Sequence, residues 1–168
     1  MKLKDFLKNY DKLIILGIGN ELRGDDALGP YIINLIENEL EISFSVDDID
    51  NFTTKNNIIL IDGGSAPENF TGLIKKEKPS HLLIIDAALM DSNPGTIKCI
   101  NENEIANINA STHSMSLSYL IRYLKNDFDF ELLFIGIEPF SMNLGEELSP
   151  VIVKKANSIK EIIIPYLN

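Results

Sequence analysis

A single cysteine, Cys99, is all the thiol that this 168-residue chain carries. That excludes a disulfide framework and any zinc or iron–sulfur site built from several cysteines of one chain. Positive charge is scarce as well: 15 Lys and Arg stand against 25 Asp and Glu, a formal net charge of −10. Nucleic acid and anionic membrane surfaces are poor partners for such a chain, because phosphate binding depends on clustered basic side chains. A cationic segment or a metal-bearing partner suits it better. Long hydrophobic runs are missing too. The longest, such as residues 82–85, fall far short of the ~20 residues that span a bilayer. Residues 1–11 mix charges with apolar side chains and lack the apolar stretch of a signal peptide. The expectation is a cytoplasmic protein with no membrane insertion and no nucleic-acid partner. The length suits one domain, since single cores run to ~100–200 residues. A chain of this size buries roughly 70% of the surface its unfolded form exposes, so it needs no metal or disulfide staple. Residues 1–168 are therefore read as one domain.

What is present is a set of short apolar runs. Leu13-Ile14-Ile15-Leu16-Gly17-Ile18-Gly19 is continuous and reads as a strand buried on both faces, as in a parallel sheet. Tyr31, Ile32, Ile33, Leu35, Ile36 and Leu40 recur at helical spacing, with Asp25 or Asp26 as a candidate cap. Ile58-Ile59-Leu60-Ile61 is a second buried run, closed by the turn signal Asp62-Gly63-Gly64, and Leu82-Leu83-Ile84-Ile85 a third, closed by Asp86. Residues 97–100 alternate after Asn93-Pro94-Gly95 and suit an antiparallel or edge strand. Met115, Leu117, Leu120, Ile121 and Leu124 mark a helix after His113, and residues 131–137 form the last strand. Residues 151–167 read as a closing helix that Pro165 should end or bend. Residues 41–57 read as an extended connection or an extra strand. The interleaving predicts an α/β fold: a three-layer sandwich with a mostly parallel central sheet of about five strands flanked by helices.

In such a sheet, ligands bind beyond the carboxyl ends of the strands. Asp25 and Asp26 follow the first strand, Asp62 the second and Asp86 the third, while His113 stands in Ser111-Thr112-His113-Ser114 before a helix. Taken singly, an aspartate after a strand is commonly a helix cap or turn former. Together, two carboxylates and one imidazole on one rim could meet a single divalent ion, nickel and zinc included. A helix amino terminus disfavours protonated imidazole, which would keep His113 able to coordinate. His81 reads as a solvated loop residue and Cys99 as a packed thiol. Gly17-Ile18-Gly19 does not complete a dinucleotide fingerprint, because Leu22 stands where the third glycine belongs. No Gly-x-Ser-x-Gly nucleophile elbow is present.

Five segments stand in order: Gly17-Ile18-Gly19-Asn20-Glu21-Leu22-Arg23-Gly24-Asp25-Asp26-Ala27-Leu28-Gly29-Pro30; Ile61-Asp62-Gly63-Gly64-Ser65-Ala66-Pro67-Glu68-Asn69; Leu83-Ile84-Ile85-Asp86-Ala87; Ser111-Thr112-His113-Ser114-Met115-Ser116-Leu117; and Phe134-Ile135-Gly136-Ile137-Glu138-Pro139. Together they resemble the motifs of the NiFe-hydrogenase maturation endopeptidases. The Ser-Ala-Pro-Glu-Asn string and the Thr-His-x-Met pairing look most like the subgroup serving formate-hydrogenlyase-type hydrogenases. The resemblance implies an endopeptidase that cuts a C-terminal extension from a hydrogenase large-subunit precursor once nickel is in place. It implies that Asp26, Asp86 and His113 contact the metal and carry the catalysis. The nickel would be carried by the precursor, and no organic cofactor is expected. Ala27, where glycine is common, and a long stretch at residues 41–57 depart from the family pattern.

No activated Ser or Cys is evident, so water is the natural nucleophile. Nickel could polarise the scissile carbonyl, with Asp26 or Asp86 as general base. Alternatively nickel only positions the precursor and the aspartates act as an acid–base pair. Glu21 and Asp62 are reserve candidates. A metal-dependent phosphohydrolase would need basic side chains at the rim, and the motifs offer only Arg23. A non-enzymatic nickel-sensing chaperone of the immature subunit would share every proposed ligand.

Overall fold

The computed structural model describes residues 2–41, 51–105, 109–110 and 117–167. In chain order its strands are β1 (Leu13–Ile18), β2 (Phe52–Lys55), β3 (Ile58–Gly64), β4 (His81–Leu89), β5 (Ile97–Ile100), β6 (Asn109–Ala110) and β7 (Glu131–Ile137). Its α-helices are α1 (Leu3–Phe6), α2 (Leu28–Glu39), α3 (Thr71–Glu77), α4 (Glu102–Ile105), α5 (Leu117–Lys125) and α6 (Pro150–Ile163). The central sheet runs β2-β3-β1-β4-β7-β5, with the short β6 pairing with the end of β4. The inner strands β3, β1, β4 and β7 are mutually parallel, while β2 and β5 close the two edges antiparallel.

This is the expected α/β sandwich with one more long strand than the sequence suggested. The addition is β2, whose Phe52–Lys55 pairs with Ile61–Ile58. It lies within the stretch left open as a connection or a strand; residues 42–50 of that stretch fall outside the described residues. β1 is buried at every position because both faces are covered. One face packs Ile15, Leu83 and Leu133 against α1, α2 and α6. The other packs Ile14, Leu82 and Phe134 against α3 and α5. Pro165 does end the last α-helix, which gives way to a 3-10 turn at Ile164–Tyr166.

Several local expectations are corrected. Asp62 and Asp86 lie inside β3 and β4, because each strand runs on past its apolar run. α2 has no side-chain cap from Asp25 or Asp26; the carboxylate of Asp25 is engaged across the fold instead. His81 is not a solvated loop residue. It opens β4 half-buried, its ring edge-on to Phe6 at 4.9 Å between centroids. Cys99 is exposed rather than packed, since β5 is an outer edge whose first three residues all face solvent.

Candidate functional site

Chain order around β1 fixes where a ligand can enter. β1 leads through α2 to β3 on one side, and β3 leads through α3 to β4 on the other. The carboxyl ends of β1 and β4 therefore flank the point where the winding reverses, the usual ligand crevice of an open α/β sheet. β4 pairs with β1 only as far as Ile85 opposite Gly17. Asp86 is the next residue, so it stands where β1 has turned away. It is 1% exposed and pairs with Gly136 of β7 on its other side.

The turn that leaves β1 is shaped by close backbone approach. A Cβ on Gly19, whose φ is +150°, would collide with the carbonyl of Asp26, and one on Gly29 would collide with the backbone of Ile18. Glycine at these two positions lets the 3-10 turn at Gly24–Ala27 and the start of α2 lie directly on the end of β1. Asn20 begins that turn, its Oδ1 accepting from the Leu22 amide at 3.0 Å. The 3-10 turn packs against β4 and so brings the segment of Asp26 to the strand of Asp86.

Asp25 and Asp26 are both buried, at 0% and 1% exposure, and their surroundings are opposite. Asp25 accepts from the Phe140 and Ser141 amides at 2.7 and 3.0 Å, the Ser149 amide at 2.7 Å and the Ser149 hydroxyl at 2.9 Å. Charge-assisted bonds of this kind are the strong ones, and they fasten the loop after β1 to the loop before α6. The neighbouring backbone adds Asp25 N to Ser141 O at 2.8 Å and Gly145 N to Leu22 O at 2.8 Å. Neither carboxylate oxygen of Asp26 has a hydrogen-bond partner among the described residues. A buried carboxylate without donors is costly unless something else compensates it. A cation or a substrate proton would do so, and an Asp/Asp/His donor set suits a divalent first-row metal.

Glu138, in the last-strand motif, is a second organiser that the sequence did not single out. It is 7% exposed and accepts from the Met90 and Ser92 amides at 2.7 and 3.2 Å, strapping the chain after β4 to the end of β7. Its partners lie more than forty residues away (Met90 and Ser92), as do those of Asp25, and no local pattern announces either. Asp62 is half-exposed, and its Oδ1 accepts from the Gly64 amide at 2.9 Å, across the irregularity at Gly63 within β3 rather than in a turn that ends the strand. Together with Glu21, Glu37 and Glu147 it lines a cleft of about 700 Å³ beside α2. Burial pushes the Glu37 carboxyl up from its ordinary range; the Thr53 hydroxyl bond opposes this and the Asp62 charge adds to it. The structure thus lays the turn that carries Asp26 against β4, the strand that carries Asp86. His113 lies outside the described residues, although β6, three residues before it, pairs with Ala88 and Leu89 just past Asp86. Among the described residues no cluster of three His, Cys, Asp or Glu could hold a metal ion.

The family model for hydrogenase maturation proteases matches residues 46–166. The Hydrogenase 3 maturation protease of Escherichia coli K12 is 39% identical over 127 residues, 75% of this chain and 72% of that protein. A Methanocaldococcus jannaschii relative, provisionally named a hydrogenase maturation protease, is 42% identical over 164 residues, 96% of this chain and 94% of its own. Among solved structures, the hydrogenase maturation protease HycI from Thermococcus kodakarensis superposes with a TM-score of 0.82 at 25% identity, over 98% of this chain and 97% of that one.

Proposed function

The chain belongs to the hydrogenase maturation protease family, and from that premise we propose that it removes the C-terminal extension of a NiFe-hydrogenase large-subunit precursor after nickel insertion. The observation that carries this reading is Asp26: a buried carboxylate with no hydrogen-bond partner among the described residues, at the reversal point of the sheet and beside the strand of Asp86. Nickel enters as cargo of the precursor. Asp26, Asp86 and His113 are the residues proposed to meet it and to carry the chemistry. Two carboxylates and an imidazole offer no thiolate, so they read a nickel ion held elsewhere rather than compete for it.

The reaction needs a water molecule driven onto the scissile carbonyl carbon, a proton taken from that water, and a proton given to the leaving amine as the C–N bond breaks. Asp26 has free acceptor capacity for the first transfer, provided the water comes within hydrogen-bond reach. Nickel near the carbonyl would stabilise the developing oxyanion. The site acts in the cytoplasm on this reading. Among the described residues no helix is long and apolar enough to cross a membrane.

The test is to mix the protein with nickel-loaded and nickel-free precursor and to follow product mass. Cleavage of the loaded form alone is expected, abolished by His113→Ala at an unchanged melting temperature. Cutting of both forms at the same rate would remove nickel from the recognition step. Tight binding of the loaded precursor with no cutting would replace the protease with a nickel-sensing chaperone.

A further inference from the structure

The double loop that carries Asp26 also holds three large apolar side chains out in water. Leu22, Phe140 and Leu144 are 68%, 69% and 77% exposed. They do not sit on loose tips. The Leu22 carbonyl accepts from the Gly145 amide at 2.8 Å, and the Phe140 amide donates to the buried Asp25 carboxylate at 2.7 Å. The Arg23 side chain spans the same two loops, its Nε donating to the Met142 carbonyl at 3.3 Å. Exposed apolar surface forgoes the free-energy gain of burial. A rigid frame that keeps it exposed gains nothing for the fold, and patches of a few hundred Å² on monomers commonly mark interaction sites.

We propose that Leu22, Phe140 and Leu144 form the platform on which the hydrogenase precursor docks while its C-terminal segment reaches Asp26. This rests on the proteolytic reading above and adds to it a surface and a partner chemistry. The carboxylates of Glu21, Glu146 and Glu147 adjoin the platform in sequence, and Glu21 and Glu147 continue into the acidic cleft. The matching surface is therefore an apolar anchor flanked by basic side chains. A second copy of this chain fits poorly. Three side chains offer far less than the ~800 Å² per partner of a stable interface. Two copies would also bring like-charged rims together, each chain at −10.

The platform is tested with the Leu22→Ser/Phe140→Ser/Leu144→Ser protein. Binding of nickel-loaded precursor is measured by calorimetry in an Asp86→Asn background, and KM and kcat in the otherwise native protein. A tenfold or greater rise in Kd and KM is expected, with kcat within twofold and melting unchanged. Leu144→Ser alone, at the most exposed of the three, keeps the question open to measurement if the triple variant does not fold; it should weaken binding about threefold. Glu21→Lys/Glu147→Lys should weaken binding further and flatten its salt dependence. Unchanged Kd and KM in a folded platform variant overturn the proposal, as does a native protein that does not bind the precursor. So does a native dimer that the substitutions dissolve while precursor binding persists. If the native protein binds without cutting and the platform variant loses binding, the docking surface stands and the proteolytic reading falls.

Discussion

The two ends of the parallel sheet use their polar groups differently. At the amino ends, several are spent on stitching strands together. The Ser80 hydroxyl accepts from the Asp11 and Lys12 amides at 2.8 and 3.1 Å and donates to the Lys12 carbonyl at 3.1 Å. The Ser80 carbonyl takes the Glu131 amide at 2.8 Å, the Asn57 amide group reaches the Asp11 carbonyl at 2.8 Å, and Lys12 pairs with Glu77 at 2.8 Å. At the carboxyl ends, Asp25 and Glu138 do the same work of fastening loops, but Asp26 is left buried without a partner among the described residues, and large apolar side chains face water. One end is built for stability; the other carries groups that make sense only with something bound. The Asp25–Asp26 pair puts the contrast into adjacent residues of one turn.

The largest effect should come from Asp26→Asn. Losing a general base or a metal contact costs on the order of 10²–10⁴ in rate, so precursor processing should fall at least a hundredfold. The melting temperature should not fall, because the side chain has no hydrogen bond to lose among the described residues. A variant that melts well below the native protein would make Asp26 structural and erase the contrast with its neighbour.

Asp25→Ala should show the opposite signature. Four acceptor contacts vanish. Bonds to charged groups are worth about 1.5–3 kcal/mol each in net terms, though the freed amides of Phe140 and Ser141 can reach water. A loss of roughly 2–3 kcal/mol in denaturant unfolding is expected, with processing impaired through displacement of the double loop. Unchanged stability would mean that the loops hold together without it.

How much of this could be read from the chain differs sharply between the two aspartates. The four parallel strands were legible as the apolar runs at residues 13–19, 58–61, 82–85 and 131–137, because doubly buried strands are continuous apolar runs; that β3 and β4 run on through Asp62 and Asp86 was not. Asp26 and Asp86 were legible as candidates because acidic groups after such runs fall on one rim. The roles of Asp25 and Glu138 were not, since their partners are 115 to 124 residues away for Asp25 and 46 to 48 for Glu138. Cys99 and His81 were misjudged for a related reason. Alternation in residues 97–100 does not say whether a second layer covers the strand, and a polar flank at Lys78-Pro79-Ser80 does not show that Phe6 will pack on the next ring.

Smaller effects sharpen the stability end. Ser80→Ala removes a hydroxyl that serves three backbone groups and should cost about 1 kcal/mol, with processing of the precursor unaffected. A loss of processing there would blur the division between the two ends.

The pH dependence is the finest probe, because His81 at the amino end and Glu37 in the acidic cleft should titrate with opposite sense. Burial holds the His81 imidazole below its ordinary value near 6.5, against the raising influence of Glu131 and Asp11. The unfolded chain then takes up the proton first as pH falls. Stability tied to His81 is whole above about pH 6.5 and is lost below it, levelling off once the folded protein's lower value is passed. Glu37, in the acidic cleft beside α2, is held above its ordinary 4.5. Its folded form keeps the proton longer, so its contribution is whole below pH 4.5 and is lost as pH rises through the raised value. Urea unfolding across pH 4–8 should show His81→Gln flattening the acid-side decline and Glu37→Gln gaining stability at neutral pH but not in acid. Identical profiles for native and variant proteins would remove both assignments.

The sequence by itself determined the layer order and the four parallel strands, because hydrophobic periodicity is a local property and the right-handed crossover leaves few ways to wind such runs. It also marked the rim on which the acidic groups gather. Only the tertiary structure decided which of two adjacent aspartates became an anchor and which was left without a hydrogen-bond partner among the described residues. That choice depends on where the loop before α6 passes: its amides reach Asp25 and not Asp26, and such a meeting of segments more than a hundred residues apart is written in no local pattern.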